Sequence, residues 1–210
     1  MIKILIADDH SIVRAGLKQI LAGTPDMIVS GEAATAEEVL NKISKDDYDV
    51  VVLDIGMPGK SGLDTLKELK CERPKLPVLI LSMYPEEQYA VRVLRAGASG
   101  YMTKESAPDD LVGAIRRVAH GKKYISPFLA DRLATSLAID TDKPLHESLS
   151  DREYQVMCLI ASGKTVSDIA AKLSLSVKTI STYRTRILEK MGKKNNAELT
   201  HYAIQNRLIE

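Results

Sequence analysis

Five polar residues in the first half of this 210-residue chain follow or close short apolar runs: Asp8 and Asp9 after IKILIA, Asp54 after VVVL, Ser82 ending PVLILS, and Lys104 after ASGYMT. If those runs are parallel strands, their carboxyl ends meet along one edge, and that edge is where open α/β sheets bind ligands. Three carboxylates brought within a few ångströms repel and raise one another's pKa unless a cation sits among them. Mg²⁺ answers that need, because it keeps several waters and suits one or two direct carboxylates plus a backbone carbonyl. Neither His nor Cys stands among these strand-end groups, which disfavours zinc. Mg²⁺ held by few protein ligands commonly shares its site with a phosphoryl group. Lys104 would then supply a point charge to phosphate oxygens and Ser82 a hydroxyl donor. An aspartate can itself attack phosphorus to form an acyl phosphate. Asp54, followed at once by a Gly-Met-Pro-Gly stretch that no helix tolerates, is placed for that role. A single acid after a strand is usually a cap or turn residue; the set is what points to a site.

Positioning such a set requires a sheet, and residues 1–121 have the rhythm of one. Apolar runs at 2–7, 27–33, 50–53, 77–82 and 98–103 alternate with amphipathic stretches at Ser11–Ala22, Ala36–Ser44, Leu63–Cys71, Glu86–Ala96 and Pro108–His120. The alternation predicts βαβ units and one doubly wound parallel domain of five strands and five helices. Thr35-Ala36-Glu37-Glu38 fits a capping box at the second helix. The rhythm lapses from Lys122, and residues 122–146 read as a linker with one helix at 127–138, ending in the charged, proline-containing IDTDKPLHES. Residues 147–210 carry helical patterns alone. Ser150-Asp151-Arg152-Glu153 is a second capping box, opening a helix that stops at Gly163. Thr165–Leu173, the turn LSLS, Val177–Met191 and Asn196–Asn206 complete an all-α domain.

Composition sets outer limits. With 45% hydrophobic and 27% charged residues the chain is of the soluble globular class. MIKILIADD reaches two carboxylates by residue 9 and is not a signal peptide. No run approaches the roughly 18 apolar residues of a membrane span. Cys71 and Cys158 lie far apart and outside any Cys-x-x-Cys pair, which fits a reducing cytoplasm. No Gly-x-Gly-x-x-Gly or Walker loop follows the first strand, which argues against a nucleotide-binding enzyme. His10, His120, His146 and His201 form no metal spacing and read as surface or capping residues.

The formal charge of +1 conceals an asymmetry: residues 164–194 hold eight basic and two acidic side chains. Such an excess suits a polyanion. Thr165–Leu173, its turn and Val177–Met191 have the proportions of a helix-turn-helix, whose second helix enters the DNA major groove. Ser176 can cap that helix, and Ile180, Ile187, Leu188 and Met191 recur at core-facing spacing. The opposite face presents Lys178, Ser181, Thr182, Thr185 and Arg186, with Arg184 and Lys190 at its margins. Basic side chains there would hold phosphates and hydroxyls could read base edges.

Taken together, IADDH, LDIGMPG, LILS and YMTK make the first domain closely similar to the receiver domain of bacterial two-component response regulators, whose fold is flavodoxin-like (βα)5. The resemblance implies Mg²⁺ at Asp9, Asp54 and the Gly56 carbonyl, with Asp8 reaching the ion mainly through water. It also implies Asp54 as phosphoacceptor, Lys104 as phosphoryl partner, and Ser82 with Tyr101 as a switch pair in which Tyr101 moves into space vacated by Ser82. Ser82 stands where many relatives have Thr, which keeps the hydroxyl. From about residue 147 the chain resembles the NarL/FixJ (LuxR-type) DNA-binding domain, through LSDREYQVMCLIASGKTVSDIAAKLSLSVKTISTYRTRILEKMG and NAELTHYAI. Relatives often carry Val-Lys and His where this chain has Ile180-Ser181 and Tyr183, so their base contacts do not transfer. By position, Ser181, Thr182 and Thr185 are expected near bases, and Lys178, Thr179, Arg184, Arg186 and Lys190 near phosphates. The implied partners are a sensor histidine kinase, double-stranded DNA and, when phosphorylated or DNA-bound, a second copy of the chain. A cytoplasmic setting without a membrane is implied, as is catalysis limited to the receiver's own phosphotransfer and dephosphorylation. A Mg²⁺-dependent aspartyl phosphatase resembles the same edge chemically, but no cap insertion and no second aspartate at Asp-x-Asp spacing follows Asp54. A receiver that binds partners without phosphorylation would not need the full set of acids and the lysine.

Overall fold

The computed structural model describes residues 1–57, 60–126, 129–130 and 144–209. The chain divides into two compact units, Met1–Asp131 and Arg132–Glu210.

The first unit carries β1 (Ile2–Ala7), α1 (Ser11–Ala22), β2 (Met27–Ala33), α2 (Ala36–Lys45), β3 (Val50–Asp54), α3 (Gly62–Glu72), β4 (Val78–Ser82), α4 (Glu86–Arg95), β5 (Gly100–Thr103) and α5 (Ala107–Ala119). The strands are parallel in the order β2-β1-β3-β4-β5. Every residue of β3 and β4 is buried, which is why both read as unbroken apolar runs rather than as alternation: helices cover both faces of the sheet. On one face Leu17 and Leu21 of α1 and Leu111, Ala114, Ile115 and Val118 of α5 pack on Ile4, Ile6, Val50, Val52, Leu79 and Leu81. Val39 and Ile43 of α2, Leu66 and Leu69 of α3, and Tyr89 and Val93 of α4 are among the buried residues of the other three helices.

The α2 cap differs from a capping box. Thr35 accepts the Glu38 N–H at 3.2 Å, but the Glu38 carboxylate reaches past Thr35 to the Ala34 N–H at 2.8 Å. Two end donors are still satisfied, one residue further out.

The chain after α5 is not free of the sheet, as its lapse in apolar rhythm suggested. Tyr124 pairs in parallel with Gly100, and its N–H donates to the Ser99 carbonyl at 2.9 Å. A Cβ on Gly100 would lie 2.8 Å from the Tyr124 carbonyl oxygen and Cβ, so glycine is required for this approach. Ser126 then accepts the Leu129 N–H at 3.1 Å and donates its hydroxyl to the Glu86 carboxylate at the start of α4. These are backbone and short polar contacts, and hydrophobic periodicity carries no trace of them. Of the helix expected at 127–138, Leu129 and Ala130 are helical, and the remainder lies outside the described residues.

The second unit holds a 3₁₀ turn at Leu145–Ser148, then α6 (Asp151–Ala161), α7 (Val166–Leu173), α8 (Val177–Met191) and α9 (Asn196–Gln205). His146, one residue before the expected start of this domain, packs on it: Nδ1 lies 2.9 Å from the Tyr202 hydroxyl of α9. Capping boxes at Ser150/Glu153 and Thr165/Asp168 start α6 and α7, and Ser176 caps α8 through the Thr179 N–H at 3.0 Å. Between α7 and α8 the chain turns at Ser174, whose φ of 53° is left-handed. Ile180, Ile187 and Met191 are buried, and Leu188 is half-buried.

Candidate metal centre and nucleic-acid interface

The register of the sheet assembles the acid cluster. Ala7 pairs with Leu53 and Asp54 with Leu81, which puts Asp8 and Asp54 side by side at the point where strand order reverses, the crevice that open sheets use for ligands. Ser82 pairs with Thr103, and the Lys104 N–H donates to the Ser82 carbonyl at 2.8 Å, so Lys104 starts from the same edge. Its ammonium lies 2.7 Å from Asp54 Oδ2 and 2.6 Å from Asp8 Oδ2. Asp54 Oδ1 accepts the Gly56 N–H at 2.7 Å. Asp8 is 1% exposed, Asp54 4% and Ser82 fully buried.

Burial pushes the Asp54 carboxyl above the ordinary carboxylate range, and the Lys104 ammonium and Gly56 N–H only partly offset it. Burial acts on Lys104 in the opposite sense, and Asp54 and Asp8 outweigh it to hold the ammonium above its usual pKa. Three carboxylates facing one ammonium leave the cluster about two charges short of neutral. Among the described residues, Asp9 Oδ1 is sealed from solvent with no hydrogen-bond donor in line. A buried acceptor without a donor beside excess negative charge fits a divalent cation. This crowding gives a stability prediction: Asp54→Asn should stabilise the chain in EDTA by about 1 kcal/mol, since function-site strain is relieved when the charge is removed. Mg²⁺ should erase the difference, because it favours only the wild-type cluster. Chemical denaturation of the first unit with and without Mg²⁺ would measure it, and equal stabilities in EDTA would refute it.

Two features of the site were not legible. His10, read as remote from metal chemistry, brings its ring over the cluster: Nδ1 lies 3.2 Å from Asp8 Oδ1 and 3.0 Å from Asp9 Oδ1. One ligand atom each from Asp8, Asp9, His10 and Asp54 falls within 4.8 Å of all the others. The statement that no histidine stands by these acids is therefore corrected. Adjacency in IADDH was the available signal, but strand alternation gave no reason to lay the exposed ring of residue 10 against the acids. Gly62 is the second. A Cβ there would meet Ile55 Cα at 2.4 Å and the Asp54 carbonyl at 2.6 Å, so only glycine lets α3 begin against the Asp54 strand.

Tyr101 is fully buried and donates its hydroxyl to the Tyr84 carbonyl at 2.7 Å. The Tyr84 N–H in turn donates to Ser82 Oγ at 3.0 Å. Burial raises the Tyr101 phenol well above its ordinary pKa. The ring expected to travel into vacated space lies inside in this structure.

On α8, Lys178, Ser181, Thr182, Thr185 and Arg186 are exposed and Thr179 is half-buried. The three exposed hydroxyls donate back to carbonyls four residues earlier, Ser181 to Val177 at 2.9 Å, Thr182 to Lys178 at 3.0 Å and Thr185 to Ser181 at 3.2 Å. Base edges would have to compete with those bonds. Arg184 and Lys190 are occupied within their own unit. Arg184 Nε donates to Asn196 Oδ1 at 2.6 Å, and Lys190 Nζ lies 2.7 Å from Oε2 of the buried Glu153.

Both units match known families. The description "Response regulator receiver domain" covers residues 4–116, and "Bacterial regulatory proteins, luxR family" covers residues 147–203. The chain belongs to the LuxR-type response regulators. It is 37% identical to the response regulator UvrY of Escherichia coli K12 over 99% of this chain and 96% of that one. It is 38% identical to the response regulator GacA of Pseudomonas aeruginosa over 100% and 99% of the two chains. Among solved structures, a complex of the response regulator RcsB with DNA aligns at 32% identity with a TM-score of 0.60, covering 97% of this chain and 98% of that one. RcsB from Salmonella enterica serovar Typhimurium, bound to the rprA promoter in the presence of the phosphomimetic BeF3⁻, aligns at 29% identity with a TM-score of 0.65, covering 96% and 98%. As a response regulator of this type, the chain is a phosphorylation-controlled, DNA-binding transcription regulator. No helix among the described residues is long and apolar enough to cross a membrane.

Proposed function

We propose that Asp54 is the phosphoacceptor and that its phosphorylation controls DNA binding by α8. The observation that carries this reading is the buried Asp54–Lys104–Asp8 arrangement at the strand ends. A carboxylate oxygen of Asp54 attacks phosphorus on the phosphohistidine of a sensor kinase; the new O–P bond forms as the N–P bond breaks, leaving the kinase histidine free. Lys104 neutralises the transferred phosphoryl oxygens, and the Ser82 hydroxyl turns from the Tyr84 N–H to donate to one of them. Asp9, Asp54 and the Gly56 carbonyl would hold Mg²⁺, with Asp8 reaching it mainly through water. That ion supplies charge neutralisation at phosphorus. Chemistry is confined to the receiver's own phosphotransfer and dephosphorylation, in the cytoplasm.

With Tyr101 already inside, phosphorylation acts by holding that arrangement rather than by creating it. The phosphoryl group favours whichever state it contacts better, and Ser82 is bonded to the loop whose carbonyl takes the Tyr101 hydroxyl. The favoured state presents the receiver for pairing with a second chain and leaves α8 free for double-stranded DNA. Lys178, Arg186 and Thr179 serve phosphates, while Ser181, Thr182 and Thr185 face base edges. Arg184 and Lys190 offer phosphate the N–H donors that Asn196 and Glu153 do not take.

Acetyl phosphate with Mg²⁺ should label the full chain at Asp54, located by borohydride reduction and mass spectrometry. Label on any other residue, or none, would end the proposal. On the DNA side, each phosphate contact adds nearly one unit to the slope of log affinity against log salt. Lys178→Ala and Arg186→Ala should each lower that slope by about one. An unchanged slope would make these residues solvated surface.

A further inference from the structure

His10 is the N-cap residue of α1, yet its side chain makes no cap hydrogen bond. The ring instead lies against two acids of the cluster, with Nδ1 3.0 Å from Asp9 Oδ1 and 3.2 Å from Asp8 Oδ1. Asp9 Oδ1 is the sealed oxygen that lacks a hydrogen bond, so its closeness to Nδ1 is not explained by a well-aligned N–H donor. Two ligands 2.0–2.2 Å from one ion can be at most about 4.3 Å apart, and the four candidate ligand atoms span 4.8 Å. A shift of about half an ångström closes the set around one cation.

We infer that His10 Nδ1 is a direct ligand for a first-row transition cation in this pocket, so that Mn²⁺, Co²⁺ or Ni²⁺ is held in a mixed nitrogen and oxygen shell with Asp9 and Asp54. Mg²⁺ uses the oxygens alone. The inference rests on the proposed cation site and adds to it the class of ion that the site distinguishes. Imidazole strengthens binding along the Irving–Williams order from Mn²⁺ to Ni²⁺ and beyond, whereas Mg²⁺ prefers oxygens and retained waters. The ring can serve: the His10 side chain is 66% exposed, and in the tautomer that carries its hydrogen on Nε2 the Nδ1 lone pair, 3.2 Å from Asp8 Oδ1, faces the ion. Charge also matches. Asp8, Asp9 and Asp54 against Lys104 leave two negative charges, which one divalent ion neutralises. Sequence neighbours make the geometry inexpensive, because a single backbone turn at the β1–α1 junction delivers Asp8, Asp9 and His10 together.

The test uses the full chain loaded with Mn²⁺ and pulsed electron paramagnetic resonance. Directly bound imidazole gives ¹⁴N modulation, which should be present in the wild type, vanish with excess Mg²⁺, and be absent in His10→Ala and His10→Gln. By calorimetry, Ni²⁺ should bind both variants about tenfold or more weakly, with Mg²⁺ affinity unchanged within about twofold. Mn²⁺ that binds and is displaced by Mg²⁺ without ¹⁴N modulation would overturn the role of His10 and leave the cation site standing. Modulation that survives in both variants would overturn it equally. Failure of Mn²⁺ and Mg²⁺ alike to bind would remove the proposed cation site itself.

Discussion

Replacing Asp54 with alanine is expected to abolish labelling by acetyl phosphate and to leave DNA binding indifferent to beryllofluoride and Mg²⁺, while the wild type binds DNA at least about tenfold more tightly when so treated. That factor corresponds to about 1.4 kcal/mol of coupling, within the usual range for linked sites. The expectation follows from position. Among the described residues, Asp54 is the acid bonded to both Lys104 Nζ and the Gly56 N–H. Removing it leaves Lys104 paired with Asp8 and no carboxylate oxygen beside the ammonium to accept the phosphoryl group. Asp54→Ala should still bind DNA at the basal level, because α8 and its caps belong to the other unit. A variant that kept the beryllofluoride response would show that the switch is driven from elsewhere.

Glu153→Ala should strongly destabilise the second unit, costing about 2 kcal/mol. Glu153 is 3% exposed and its carboxylate does two things at once. It accepts the Ser150 N–H at 2.8 Å to close the capping box of α6, and it lies 2.7 Å from Lys190 Nζ on α8. Loss of such a cap costs about 1 kcal/mol, and loss of a pair whose lysine is 44% exposed adds about 1 kcal/mol more. Burial pushes the Glu153 carboxyl up, but the Lys190 ammonium and the Ser150 N–H outweigh it and hold the group below its ordinary value. A depressed acid contributes fully above the unfolded pKa of about 4.3, and the contribution is lost as pH falls through the lower folded value. Glu153→Gln keeps the acceptor for the cap and should lose only the charge-dependent part. Its deficit should therefore shrink in acid, whereas that of Glu153→Ala persists. Amide hydrogen exchange along α6 and α8 at neutral and acidic pH resolves the second unit from the first, and unchanged protection in Glu153→Ala would refute the argument.

Lys190 illustrates what the sequence could and could not disclose. Its place on the margin of a basic helix made it a natural phosphate contact. Its partner, Glu153, lies 37 residues away and was already accounted for as half of a capping box. Nothing in local spacing indicates that one carboxylate serves both. The strands, by contrast, were readable almost to the residue, because a sheet buried on both faces writes its strands as continuous apolar runs closed by polar residues. The same logic placed Asp8, Asp54, Ser82 and Lys104 on one edge. It could not place His10, whose ring direction depends on the turn after β1, nor identify Gly62, whose necessity arises only where α3 meets Ile55. Tyr101 was recognised as a position, but whether its ring lay in or out depended on the Tyr84 carbonyl, a backbone acceptor invisible to side-chain patterns.

The tie between Ser126 and Glu86 joins the chain after α5 to the start of α4. Glu86 opens α4 two residues after Tyr84, the residue whose carbonyl accepts the Tyr101 hydroxyl. Ser126, at the other end of that tie, also accepts the Leu129 N–H. The chain after α5 is therefore fastened a few residues from the carbonyl that holds the tyrosine, so a change in the β4–α4 loop is felt at once by Ser126.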